Sequence, residues 1–346
     1  MRVGIDGKPG VGRRAGVARY LDGLLGGCAA LPHPDLAIEV VTPRAPRRTL
    51  PWVLWSLQRA SGRGFAVFHF PFYYPPLRPR CPVTVAIHDV LVLEHPEWFP
   101  RALVNPLRVL IPGGARRAAA VVTGSRCVAD AIAERCRVPR SRIRLTGYGV
   151  DAAVFSPPGR ERIAETRARY ALHRPYLLQV GALEPRRGVD LSLLAARLLR
   201  DRHPDLELVL VGETRARVAA LADAPEWVRT LGWVADGELP ALYAGAAATL
   251  APSRGEGFDL PLLEALASGA AAVASDIAVH REHFAPAVEL FASGDGEALA
   301  EAVTRVVEDS GRAARLRAGG PCLAARFAWS DVARRHLELW RVVGGG

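Results

Sequence analysis

AATLAPSRGEGFDLPLLEALASGAAAVASD, Ala247 to Asp276, reads as a strand, a turn, a helix and a second strand. The flanking runs, Ala247 to Ser253 and Ala271 to Asp276, are short and apolar on both faces, as strands are when helices cover both sides of their sheet. Between them a glycine-rich turn leads to Pro261, which suits a helix's first turn because the N–H it lacks would have no partner there. Gly269 marks the expected stop. Strand, helix, parallel strand is the building unit of an α/β sheet. Two acids interrupt it: Glu256 in the turn, and Glu264 between Leu263 and Ala265. A helix that only filled a core would carry an aliphatic at 264, so both acids require a reason.

The same unit recurs outward from this stretch. Before it, strands are expected over Tyr176 to Ala182, Leu206 to Gly212 and Val228 to Gly232. In the first half they are expected over Arg2 to Asp6, Ala37 to Thr42, Ala66 to Phe70, Val83 to Asp89 and Ala119 to Gly124. The pattern pauses at a Pro-Pro-Gly turn and charged helix within Phe155 to Pro175, then restarts. The expectation is an α/β chain of two Rossmann-like domains facing each other across a cleft: residues 1–165, then 166–326. Phe327 to Val343 reads as a C-terminal helix capped by Ser330, with Val332, His336, Leu339 and Trp340 on its apolar face, packing back on either domain. It makes 327–346 a third segment.

The 346 residues suffice for two cores. No window approaches eighteen consecutive apolar residues, and MRVGIDGKPG lacks the apolar core of a signal peptide, so a cytoplasmic location is expected. The five cysteines form no CxxC pair, which speaks against structural zinc and a disulfide framework. Charge divides unevenly: residues 1–170 hold 26 Lys+Arg and 12 Asp+Glu, 26 − 12 = +14, and the remainder 19 and 23, or −4, which recovers the total of +10. A basic first half implies an anionic neighbour, such as lipid headgroups or a phosphorylated acceptor. Nucleic acid is not expected, because no recognition-helix, RNP or finger pattern is present.

In open parallel sheets ligands lie beyond the carboxyl ends of strands, where helix N-termini offer free N–H groups. Taken alone, Glu264 would read as a charge near a helix N-terminus. It has company. PSRGEGFDLPLLEALASGAAAVASD (252–276) resembles the donor-site signature of the retaining family 4 glycosyltransferases of GT-B fold, which are mannosyltransferase-like group 1 enzymes. GIDGKPGVGRRAGVARYLDGLL, VAIHDVLVLEHPEWFP, VGALEPRRGVDLSLLAA and LGWVADGELPALYAGAAATLAPS are similar to further segments of that family in the same order, so the resemblance spans nearly the whole chain.

The resemblance implies transfer of a hexose from a UDP- or GDP-sugar to an acceptor hydroxyl, with retention of configuration and without a metal or other cofactor. The acceptor class stays open among a sugar, a glycolipid and a natural-product aglycone. Glu264 would bind the nucleotide ribose and Glu256 would face the donor sugar, with the turn Gly257, Phe258, Asp259 and Leu260 near sugar and phosphate. Arg186 and Arg187 would stabilise the departing diphosphate. Gly181, and Gly232 with Trp233 and Val234, belong to the nucleotide-facing segments. His88 would contact sugar and acceptor from the first domain, and Gly16 would lie in a loop closing over the phosphates.

Two positions depart from the family's usual pattern. Arg187 stands where a lysine is usual, and Asp259 where a glycine is usual. A carboxylate there is expected to add an acceptor beside the sugar and alter donor preference. Leu50 to Phe65, with Trp52, Trp55, Arg59 and Arg63, reads as an aromatic helix that either faces the core or lies on an anionic membrane. Peripheral attachment at the inner membrane face is one expectation. A sugar-nucleotide epimerase of related architecture and a non-catalytic sugar-nucleotide-binding subunit remain the alternatives.

Overall fold

A computed structural model describes residues 1–10, 16–43, 52–73, 75–214, 221 and 224–345, except for the side chains of residues 53 and 54. These residues divide into two compact units, Met1–Gly149 with Phe327–Gly346, and Val150–Arg326. The join thus precedes the Pro-Pro-Gly turn, and residues 150–165 pack with the second unit.

Each unit carries a six-stranded, wholly parallel sheet. In the first, β1 (Arg2–Asp6), β2 (Ala37–Val41), β3 (Val67–Phe70), β4 (Val83–Ala86), β5 (Ala120–Thr123) and β6 (Ile143–Leu145) are ordered 2-1-3-4-5-6. In the second, β7 (Tyr176–Val180), β8 (Glu207–Val211), β9 (Val228–Gly232), β10 (Ala248–Ala251), β11 (Ala272–Ser275) and β12 (Val288–Phe291) are ordered 12-11-10-7-8-9. Strands β3, β4, β5, β10 and β11 are buried at every residue, the consequence of helices on both faces. Each expected strand is present. Two edge strands, β6 and β12, lay outside the expectation.

The C-terminal helix, Trp329–Gly344, packs in the first unit against the helix Gly16–Ala29. Val332, His336, Leu339 and Trp340 are buried as the periodicity required. Contact is close: a β-carbon at Gly27 would stand 2.4 Å from the carbonyl oxygen of Trp329. Arg341 grips Asp35 through Nε and Nη2 at 2.7 and 2.9 Å. Ser330 does not cap this helix. Its N-cap is Ala328, and Ser330 falls inside the first turn because the chain stays extended only as far as Ala328.

Candidate functional site

In the second unit, two loops at the carboxyl ends of β7 and β10 are fastened together. After β7 the chain forms a single 3₁₀ turn, Pro185–Arg187, and enters the helix Val189–Arg200 through Gly188. Gly188 has φ +66°, and a β-carbon there would stand 2.2 Å from the carbonyl oxygen of Pro252, so any side chain would part the loops. Arg254 completes the join. Its N–H donates to Arg186 O at 2.8 Å, and its guanidinium forks onto Asp190 at 2.9 and 2.6 Å.

This join brings four of the expected charged residues together. Arg187 Nη1 lies 2.7 Å from Glu256 Oε1 and 3.1 Å from Asp259 Oδ1, while Arg186 Nη1 lies 3.4 Å from Glu256 Oε2. Ser253 Oγ donates to Glu256 Oε1 at 2.8 Å. Arg186 is further paired with Glu184, Nε to Oε2, at 3.4 Å. All of these side chains are largely buried, where a guanidinium and a carboxylate each need a partner. The two positions that depart from the family pattern, Arg187 and Asp259, therefore touch one another.

Asp259 is the N-cap of the helix Leu260–Ala267 and lies in the left-handed region, φ +79° and ψ +68°. Non-glycine residues seldom adopt that conformation, and aspartate is among the few that do. Its Oδ2 is 3.2 Å from Nε2 of His280, a fully buried residue that motif reading did not reach. Burial pushes the Asp259 carboxyl up, but Arg187 and then His280 pull it further the other way, to about 2. Both oxygens thus have a partner within the protein.

The remaining second-unit residues fall around this cluster or along its sheet. Glu264 is buried within the Leu260–Ala267 helix, as are Phe258 and Leu260 at its start. Pro261 occupies its first turn, and Gly269, φ +77°, follows its end. Gly181 succeeds β7 with φ +139°. Gly232 ends β9, after which Trp233 is 60% exposed and Val234 is buried. Beneath Arg187, a cavity of about 10 Å³ is lined by Gln179, Thr249, Asp259 and Pro261 among others. Gln179 Oε1, Thr249 Oγ1 and Arg187 Nε have no protein partner among the described residues, and the space accommodates one water.

The first unit places His88 just beyond β4, with Nε2 2.8 Å from Pro71 O and Nδ1 2.5 Å from the Tyr148 hydroxyl. A carbonyl only accepts, so Nε2 carries the proton and Nδ1 accepts from Tyr148, whose hydroxyl burial holds protonated. Behind it lies a chain that sequence spacing gave no hint of. His336 Nδ1 donates to Val332 O at 2.8 Å, Tyr20 donates to His336 Nε2 at 2.8 Å, and His69 Nε2 faces the Tyr20 oxygen at 3.2 Å. Thr84 then donates to His69 Nδ1 at 2.9 Å, so each ring is satisfied when neutral. Gly16 begins its helix with open space among the described residues where a side chain would be, whereas residues 11–15 of its loop, Gly12 among them, lie outside the described residues.

The Leu50 to Phe65 segment is helical over Trp52–Ala60. Trp52 is buried and its Nε1 donates to Asp6 Oδ1 at 2.9 Å, while Trp55 is 70% exposed. Leu50 and Pro51 lie outside the described residues. Among the described residues no three His, Cys, Asp or Glu are grouped to hold a metal ion, and no helix is long and apolar enough to cross a membrane.

Residues 22–154 match the family model described as Glycosyltransferase Family 4, and residues 163–321 the one described as Glycosyl transferases group 1. The chain is 26% identical over 325 residues to the O-antigen chain mannosyltransferase B of Escherichia coli, covering 91% of this chain and 82% of that one. It is 34% identical over 172 residues to the phosphatidyl-myo-inositol mannosyltransferase of Mycolicibacterium smegmatis, covering 47% and 43%. Against D-inositol 3-phosphate glycosyltransferases the chain spans about half their length. In fold it is similar to Anabaena Alr3699/HepE, solved with UDP and glucose, at TM-score 0.78 and 18% identity over 99% of this chain and 100% of that one. The architecture is therefore GT-B.

Proposed function

The chain belongs to the glycosyltransferases of family 4 and group 1, and from that premise we propose that it moves a hexosyl group from a UDP- or GDP-sugar to an acceptor hydroxyl with retention of configuration. The observation that carries the reading is the pair Arg186 and Arg187, fixed against Glu256 beside the helix bearing Glu264. Glu264 binds the ribose and Glu256 the sugar hydroxyls, each an acceptor for a group that must be paired once desolvated. The guanidiniums meet the diphosphate and stabilise the charge that grows on it as the glycosidic bond breaks. Gly181, Gly232, Trp233 and Val234 flank the nucleotide, and the Gly257 to Leu260 turn approaches sugar and phosphate. His88 and Gly16 belong to the first unit, and their roles at sugar, acceptor and phosphate rest on the family resemblance.

Glu256 and Glu264 serve one ligand from one side rather than flanking a scissile bond, as the paired acids of a glycosidase do. The acceptor is a sugar, a glycolipid or a natural-product aglycone. Release of nucleoside diphosphate that depends on added acceptor is the expected result when purified protein is incubated with UDP- or GDP-hexoses. Interconversion of free sugar nucleotide without acceptor would instead make it an epimerase.

The basic first half and exposed Trp55 support peripheral contact with an anionic membrane face on the cytoplasmic side. Co-sedimentation with vesicles containing anionic lipid is expected at low salt and should fall as salt rises. Absence of binding at low salt would reject that contact.

A further inference from the structure

His280 stands at the third residue of the helix Ala278–His283 and is wholly inaccessible to solvent. Its Nδ1 lies 2.9 Å from the carbonyl oxygen of Ser275, which can only accept, so Nδ1 carries a proton. Ser275 Oγ, also near Nδ1, spends its own hydrogen on Ser253 O, and does not change that assignment. Nε2 faces Asp259 Oδ2 at 3.2 Å. Asp259, held ionised at about 2 with Arg187 on its other oxygen, can only accept as well. Both ring nitrogens of His280 therefore face an oxygen that accepts, one on the backbone and one on Asp259.

A line of polar contacts then runs through the site, from His280 to Asp259, Arg187, Glu256 and Arg186. The Phe284 ring, 6.1 Å from the imidazole, supplies no charge of its own. Asp259 keeps its left-handed backbone while its side chain reaches in two directions at once. Such a conformation persists when its surroundings over-determine it, and here Arg187 and His280 do so, one on each carboxylate oxygen.

We propose that His280 is a positioning residue of the donor site: it pins Asp259, and Asp259 pins Nη1 of Arg187 in the orientation that meets the diphosphate. The assignment rests on the proposed function, in which Arg187 binds that group. His280 need not touch the ligand. Its effect is to keep a planar donor fork from swinging away, which matters because misplacement of a charged donor by even an ångström is costly to catalysis.

The test uses the full chain with ¹⁵N-labelled histidine and arginine. In the wild type the His280 Nε2 signal should report its contact with Asp259, and Asp259→Asn should shift it. Titration with UDP and GDP should show His280→Gln weakening the tighter nucleotide about tenfold, the equivalent of about 1.4 kcal/mol. Arg187→Ala should weaken it too, and the double variant should be no weaker than Arg187→Ala alone, because both substitutions break one pathway. Asp259→Asn, which keeps the side chain's size, should reproduce the loss if His280→Gln does not fold.

A His280 Nε2 signal that Asp259→Asn leaves unmoved would overturn the inference, as would a folded His280→Gln with unchanged affinity or fully additive losses in the double variant. If the wild type bound neither nucleotide, the proposed function would fall. The inference would then be judged on the Arg187 guanidinium signals: loss of their slow exchange in His280→Gln supports it, and unchanged signals refute it.

Discussion

Arg187→Ala is expected to lower turnover by about 10²- to 10³-fold, the range seen when one donor to a developing charge is removed from a preorganised site. Two contributions add. The leaving diphosphate loses a guanidinium, and Glu256 and Asp259 lose the cation that both engage within 3.1 Å. Glu256 keeps Arg186 and Ser253, and Asp259 keeps His280, but both buried carboxylates lose their nearest guanidinium, so the variant should also unfold at lower temperature. Arg187→Lys separates the effects. A lysine keeps the charge and loses the fork, so much of the stability should return while turnover stays below wild type. Turnover of a folded Arg187→Ala within threefold of wild type would remove Arg187 from the mechanism.

Mild acid should destabilise the first unit. His69, His88 and His336 are held neutral by burial, and each has its proton affinity lowered in the fold. For His336 the fall is from 6.5 to about 4. A depressed value means the unfolded chain binds the proton first. The stability these rings contribute is therefore complete above about pH 6.5 and is lost as pH falls toward about 4, which for His336 alone amounts to roughly 3 kcal/mol. Asp259 loses its contribution only at still lower pH, below 3.8, so the histidine window is separate. Denaturant titrations at pH 7 and pH 5 should show the first unit weakened at pH 5, and His336→Gln should flatten the difference. Equal stability at the two pH values would contradict the neutral-ring assignment.

How far the sequence foretold these features varies with the range of the interactions. Strands with apolar faces on both sides carry their signal locally, and ten of them stand out in the chain. Strand β6 does not, because Arg144 and Leu145 are exposed and only three residues pair at the sheet edge. Strand β12, with Glu289 and Leu290 only half buried, is muted for the same reason. Of the site, Arg186, Arg187, Glu256 and Glu264 are legible because motif and loop position coincide. The links that orient them are not: His280 meets Asp259 from twenty-one positions along the chain, and His336 meets Tyr20 from the other end of the sequence. A histidine that anchors a turn and one that fills a core look alike until the fold brings their partners close. Ser330 shows the converse, a local cap signal overruled by where the chain stops being extended.

The central claim is that the second unit holds a sugar nucleotide through Glu264. Its most direct test is thermal unfolding against a panel of UDP-, GDP-, TDP- and ADP-sugars, run beside Glu264→Ala. A donor at about 100 times its dissociation constant adds about 2.7 kcal/mol to the folded state. The account predicts a shift with a UDP- or GDP-sugar that disappears in Glu264→Ala. A well-folded wild type that shifts with none of the panel, or a Glu264→Ala protein that shifts as much as the wild type, would contradict it.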